Sequence, residues 1–326
     1  MPFLAGFDAR WQDAAEYLDA LRRDLSEGRR LDLVPDYLSD NVEVQDGATL
    51  LVGPEAVGTA IAARLAALPG LKLTPEETLW APASQNAFVA SQRFQCQSRH
   101  DGQGLYAAPT GHIIRYMQLS DSLCASGRMK AQWTVRDEEA VLKQIGVPLD
   151  EAARWRIAAP HGPEPTASTP GTGNDDAWGH TLGDLIYRIM GGELSVIARH
   201  YDPAAELFHP GASIGSGPRE AEAFWMGLRA AFPSARFDVH HLLGADEPLS
   251  PPRAAIRWEL TGRHDGHGAF GPPTGAMVRV LGITHAEFGP NGLRREWTLY
   301  DTPGIHAQIL RATGSADELP QEQDED

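Results

Sequence analysis

Helical and strand periodicities succeed each other in the same order twice along the chain. Apolar residues recur at helical spacing in "DAAEYLDALRRDL" and again in "GDLIYRIMGGELSVIARHY". A further helix is predicted after each Gly-Pro pair, in "EAVGTAIAARLAAL" and "REAEAFWMGLRAAF", with Pro69 and Pro233 ending the segments. Alternation with a period of two then takes over. "ARFDVHHLLGA" places Phe237, Val239, His241 and Leu243 on one face, and "AAIRWELTGRH" groups Ile256, Trp258 and Leu260. "AMVRVLGITHAEF" and "LRREWTLYD" flank "GPNG", a strong hairpin signal. A turn on Asn291-Gly292 would set Ala286 opposite Trp297 and Thr284 opposite Leu299, leaving His285 on the outer face. Helices first and antiparallel strands after, without regular βα alternation, predict an α+β class.

The recurrence is an ungapped duplication. "AQWTVRD" ends at Asp137 and "REWTLYD" at Asp301, and Trp133 and Trp297 have the same offset, 297 − 133 = 164. At that shift Gly53-Pro54 falls on Gly217-Pro218, His100-Asp101-Gly102 on His264-Asp265-Gly266, and Pro109-Thr110-Gly111 on Pro273-Thr274-Gly275. A whole domain is repeated, too long a unit for a solenoid. The expected organisation is a domain over 5–158, a linker rich in Pro, Gly, Ser and Thr over 159–175, a second domain over 176–314 and an acidic tail over 315–326.

Composition narrows the function classes. A net charge of −16 disfavours a nucleic-acid partner, because phosphate binding requires clustered Lys and Arg. Apolar runs fall short of a membrane span, and acidic residues come early in the N-terminal segment, so a cytoplasmic protein is expected. Cys96 and Cys124 stand in unlike contexts and are expected to be reduced and partly buried. The 12 histidines are scattered without ligand spacing, so no metal is expected, and no dinucleotide or phosphate-loop motif calls for a cofactor. "HDGHG" reads as a loop with two exposed histidines, and "PPTG" as a tight turn at the pocket rim.

"GPREAEAFWMGLRAAFPSARFDVHHLL", "GHGAFGPPTGAMV" and "GPNGLRREWTLYD" together resemble the SnoaL-like polyketide cyclase family, of the nuclear transport factor 2-like superfamily. The resemblance covers nearly all of the second copy. The first matches less well, with "AAPTG" and "LSDSLCASG" at the corresponding places. It implies two tandem cone-shaped α+β barrels, each a curved antiparallel sheet wrapped over helices. It also implies an aspartate at the end of the last strand as acid/base of an intramolecular aldol closure, carried here to Asp301 and Asp137.

Residue parity offers a route to the same role. Trp297, Leu299 and Asp301 share a strand face, so a face turned into the cone would set the Asp301 carboxylate beside apolar walls that raise its pKa. A helix cap explains both aspartates equally well, since Asp137 precedes "EEAVLKQ" and Asp301 precedes Thr302-Pro303. His241 is a candidate acid/base partner. Trp258, Trp297, Phe270, His209, Leu299 and Trp133 are candidate pocket residues. Three readings stay open: a cofactor-free cyclase or isomerase acting alpha to the carbonyl of a small apolar compound, a carrier of an apolar ligand, and an intrachain pseudo-dimer whose first copy is mainly structural. Further homo-oligomerisation is open too.

Overall fold

Each half opens with helices whose ends are set by local chemistry. In the computed structural model, which describes residues 2–158 and 173–314, the first half runs α1 (Ala14–Arg22), α2 (Val34–Tyr37), β1 (Leu38–Asp46), β2 (Thr49–Val52), α3 (Pro54–Ala67), β3 (Lys72–Ser84), β4 (Ala87–Arg99), β5 (Ile113–Ala125), β6 (Arg128–Arg136), α4 (Glu138–Ile145) and α5 (Leu149–Ala158). The second runs α6 (Ala177–Met190), α7 (Ser195–His200), β7 (Tyr201–His209), β8 (Ser213–Ser216), α8 (Gly217–Ala231), β9 (Arg236–Ala245), β10 (Arg253–Arg263), β11 (Met277–Gly289), β12 (Gly292–Tyr300) and α9 (Thr302–Thr313). Most of the expected linker and all of the expected acidic tail lie outside the described residues. Asp13 caps α1 through the Glu16 N–H, and Pro54 sits in the first turn of α3, where its missing N–H is harmless. Gly146 closes α4 in the left-handed conformation.

The two sheets have one topology. Strand order is β2-β1-β6-β5-β4-β3 in the first and β8-β7-β12-β11-β10-β9 in the second. All pairings are antiparallel except β1 with β6 and β7 with β12. The class is therefore α+β, in two tandem cones, with helices packed inside each curved sheet.

Two bulges change the expected faces. In the β11–β12 hairpin the register shifts between Glu287 and Phe288, so His285, not Ala286, stands opposite Trp297, and Thr284 pairs with Thr298. The inner face of β12 consequently carries Glu296, Thr298 and Tyr300, while Trp297 and Leu299 turn outward. A second shift, where β9 meets Arg257 and Trp258, leaves Phe237 and Val239 on the cone side and moves His241 and Leu243 to the other. A bulge inserts one residue, and with a period of two one residue reverses every side chain beyond it.

The outer faces are buried because the two sheets pack on each other. One apolar cluster joins Leu79, Ala81 and Val89 to Leu243 and Ala255; another joins Leu119 and Val135 to Leu281, Ile283 and Leu299. Related positions make related contacts across this interface. The Arg93 guanidinium lies 3.6 Å from the Trp297 ring centroid, and Arg257 lies 3.5 Å from that of Trp133. His285 is buried here, its Nε2 2.8 Å from Ser91 Oγ, so it is an interface histidine and not a solvent-facing one.

Smaller corrections concern the loops. His264 is fully buried, its Nδ1 3.0 Å from Thr274 Oγ1, while His267 is exposed. The same bond recurs between His100 and Thr110 at 3.1 Å, so the "HDG" and "PTG" motifs clasp each other in both copies. Both cysteines are free and completely buried.

Candidate functional site

The second cone is filled. Trp225 and Trp258 are fully buried in its core, with Phe237, Phe270 and Tyr300 around them. A side chain at Gly282 would overlap the Trp258 indole, which is why the strand carries glycine there. A polar network also occupies the space. Glu296, fully buried, accepts from the Tyr201 hydroxyl and from Thr298 Oγ1 at 2.8 Å, with His209 Nε2 at 3.3 Å and Trp225 Nε1 at 3.5 Å. The chain continues from Thr298 to Thr284 and on to Trp258 Nε1, each step 3.0 Å. Burial pushes the Glu296 carboxyl up, but His209 and the hydroxyl donors outweigh it and hold the group below its usual range.

The first cone is hollow. A cavity of about 240 Å³ runs among Leu18, Leu25, Val57, Ile61, Leu73, Phe94 and Met129, with Gln92, Gln118 and Gln132 on its walls. It meets a wider mouth of about 430 Å³ at Asp46, Arg64, Leu105 and Arg136. Smaller side chains make the room: where the second cone has Phe224, Trp225 and Trp258, the first has Ala60, Ile61 and Phe94.

The mouth is charged. Arg64 donates to Tyr106 Oη at 3.0 Å and to Glu138 Oε1 at 2.9 Å, and the Tyr106 hydroxyl donates to Glu138 Oε2 at 2.6 Å. Arg136 pairs with Asp46 and donates from Nε to Gln118 at 3.0 Å. Burial alone would raise the Glu138 carboxyl, but Arg64, Arg156, Tyr106 and Arg136 together bring it down to about 2.

Asp301 reaches this mouth from the second copy. Its Oδ1 caps α9, accepting from the Gly304 N–H at 3.1 Å, and its Oδ2 pairs with Arg156. The cap and the cavity wall are thus the same residue, but the cavity belongs to the other cone. Gly47, at φ +56°, lies so close that a Cβ there would overlap the Asp301 carboxylate.

Asp137 occupies the related position on the other side. It caps α4 through the Ala140 N–H at 3.1 Å and accepts across the interface from Gly211 and Ala212 at 2.7 and 2.8 Å. With His209 and Trp297 it borders a groove of about 640 Å³ between the copies. His241 is sealed in the interface, its Nδ1 2.8 Å from Asp121 Oδ2. Trp133 and Leu299 lie in the interface, and Trp258 and Phe270 in the second core. The structure therefore gathers Asp137, His209 and Trp297 at one groove, places Asp301 at the charged mouth, and leaves the remaining candidates away from the hollow cone. Asp46, Arg64, Tyr106, Arg136 and Glu138 were missed. The signal for them was present at the 164 offset, where the partner positions hold Pro210, Leu228, Phe270, Tyr300 and Thr302.

Asp137 and Glu138 give stability a pH dependence of opposite signs. Glu138, lowered from 4.5 to about 2, contributes stability that is present above 4.5 and lost as pH falls through about 2. Burial pushes Asp137 up from 3.8 to about 6, against the pull of three backbone N–H groups. Its contribution is present below 3.8 and lost as pH rises through about 6. Asp137→Asn should therefore gain roughly 2–3 kcal/mol relative to the parent between pH 4 and pH 7. Urea titrations at the two pH values measure this, and an unchanged difference would contradict the raised pKa.

Residues 184–297 match the SnoaL-like domain family. The second half of the chain is a SnoaL-like domain. The first half repeats the strand order of this SnoaL-like fold, with its own cavity. Solved structures similar to part of the chain include three single-domain examples. A SnoaL-like protein from Jannaschia sp. CCS1 is 22% identical, with 40% of this chain and 87% of that one covered and a TM-score of 0.34. A SnoaL-like polyketide cyclase from Agrobacterium tumefaciens str. C58 is 17% identical, covering 42% and 100%, with a TM-score of 0.32. TsrD from Streptomyces laurentii is 17% identical, covering 42% and 98%, with a TM-score of 0.34. No match to a curated protein was found. No helix among the described residues is long and apolar enough to cross a membrane, and no cluster of three or more His, Cys, Asp or Glu among them could hold a metal ion.

Proposed function

We propose that the protein is an enzyme of the cyclase or isomerase kind that moves protons alpha to the carbonyl of a small, mostly apolar compound, and that it works in its first cone. One observation carries this: an apolar cavity of about 240 Å³ opens directly onto a mouth holding Asp46, Asp301 and Glu138 among arginines. Such a site needs no more than a positioned base and a charge to stabilise the developing enolate. Asp46 is the base favoured by geometry, because it stands where cavity and mouth meet and only its Oδ1 is engaged among the described residues. Arg64, which has guanidinium N–H groups beyond its bonds to Tyr106 and Glu138, would receive the oxyanion. Asp301 acts as a positioning residue that holds Arg156. The second cone, filled and cross-linked, serves as the partner against which the first is built, which exchanges the roles expected of the two copies.

A carrier reading is favoured by one specific feature: each carboxylate of the mouth already has an arginine partner, which competes for the oxygen a base would use. Deuterium exchange at the alpha positions of a panel of bicyclic and aryl ketones, followed by NMR, separates the two. Exchange is expected with the parent protein, about 100-fold slower with Asp46→Asn. Ile61→Trp, which copies the residue of the filled cone, is expected to abolish both binding and exchange while folding normally. Binding without exchange would establish a carrier, and no binding by any ketone would remove the first cone as the working site.

A further inference from the structure

We infer that the compound held by the first cone carries a hydroxyl group on its inner edge, recognised by the side-chain amide of Gln132, with Gln92 as a second such point on the same sheet. The inference rests on the first cone being the ligand site and adds the chemistry of the ligand's buried end. Gln132 lies on β6 four residues before Arg136, so it stands about 13 Å farther along the strand than the charged mouth. Gln92 lies on β4, two strands away. Leu18, Val57 and Ile61 line the helical side of the same cavity, which suits a compound whose body is apolar.

The filled cone is an internal control, because it shows what this wall needs when protein alone occupies the space. Glu296 stands at the place of Gln132, and its carboxylate is met by Tyr201, Thr298, His209 and Trp225. The first copy has Tyr37, Thr134, Gln45 and Ile61 at those four positions, and none of them serves Gln132. The Tyr37 hydroxyl donates to Asp24 at 2.6 Å, and Gln45 Nε2 donates to the Gly47 carbonyl at 3.2 Å. Thr134 Oγ1 pairs with Ser120 Oγ at 3.0 Å, and Ile61 has no donor to give. Gln132 Nε2 donates to Ser122 Oγ at 3.4 Å and Gln92 Nε2 to Thr78 Oγ1 at 3.2 Å, but among the described residues Oε1 of each has no partner. A wholly apolar ligand filling the cavity would cut these oxygens off from water, which is unfavourable. A hydroxyl restores the bond, because it donates to the amide oxygen and its lone pairs accept a remaining amide N–H. A ketone oxygen only accepts, so it leaves the amide oxygen unmet.

Isothermal titration of the full chain with tetralones bearing a ring hydroxyl, each against the compound with a methyl group at the same position, tests this at nearly constant shape. At the best position the hydroxyl compound should bind about tenfold more tightly than its methyl counterpart. Gln132→Leu should erase that preference while leaving the methyl compound's affinity within about twofold of the parent's. Gln92→Ile, which copies Ile256 of the filled cone, should reduce the preference by less. Circular dichroism melts confirm that each variant is folded. Equal binding of hydroxyl and methyl compounds at every ring position would overturn the inference and leave the first cone as a site for ketones without a hydroxyl. A preference that survives in the variant carrying both substitutions would overturn the assignment to the two amides. Binding undiminished by Ile61→Trp is a different failure: it would remove the first cone as the ligand site, and the inference falls with it.

Discussion

Replacing Glu296 by alanine should destabilise the second cone by about 3–5 kcal/mol, because four donors lose their shared acceptor in a dry core. The carboxylate sits between Tyr201, Thr298, His209 and Trp225 and is fully buried. For a domain of this size the change corresponds to a fall in Tm of roughly 10–15 °C. Glu296→Gln keeps one acceptor oxygen and should recover part of the loss. The comparison with the related residue of the first cone makes the result specific. Gln132 makes a single long bond to Ser122 at 3.4 Å and borders the cavity, so Gln132→Ala should stay within about 1 kcal/mol of the parent. Equal effects at the two positions would contradict the contrast between a filled and a hollow cone.

The duplication, the α+β class and most helix limits were legible because they depend on local signals: caps, Gly-Pro pairs, the Asn-Gly turn and the spacing of apolar residues; the strands ahead of the Gly-Pro helices and their parallel pairing with the last strand of each sheet were not. What failed was parity. Trp297 was expected inside the cone because a tryptophan and a leucine sharing a face suggest a core. They do line a core, but one made between the two sheets, and hydrophobicity alone does not say which of two buried faces a strand turns inward. The bulges at Glu287–Phe288 and at Arg257–Trp258 then shift the register, and neither has a glycine or proline to announce it.

The site itself was half legible. Asp301 was singled out and does border a cavity, yet the cavity had to be found across the interface, since no local pattern shows which helix end packs over which cone. The hollowness of the first cone follows from volumes, Ile61 for Trp225 and Ala60 for Phe224, and the charged mouth from Arg64 standing where the other copy has Leu228. Such differences between copies were more informative than the identities. Identities preserve the frame, whereas an arginine placed where the same frame accepts a leucine requires a reason outside packing.

The second large effect is expected at Asp121, on the interface. This carboxylate is buried, with Ser91 Oγ at 2.5 Å on one oxygen and His241 Nδ1 at 2.8 Å and Arg257 Nε at 3.4 Å on the other. Burial would raise its pKa, but His241, Arg257 and Ser91 hold it below the usual range. Asp121→Ala removes the charge that compensates Arg257, itself buried against Trp133, and should cost about 3–5 kcal/mol. Because Asp121 belongs to the first copy and Arg257 to the second, the loss falls on the contact between them. The parent should unfold in one transition and the variant in two, with near-ultraviolet signals from Trp133 and Trp297 lost in the first. The partner substitution tells a structural charge pair from a simple loss of packing. Combining Asp121→Leu with Arg257→Met replaces the pair by apolar groups of similar size, and such replacements are commonly neutral or stabilising. The double variant should recover most of the stability and the single transition. If it is no more stable than Asp121→Ala alone, the two charges are not each other's partners and the interface is held by its apolar clusters.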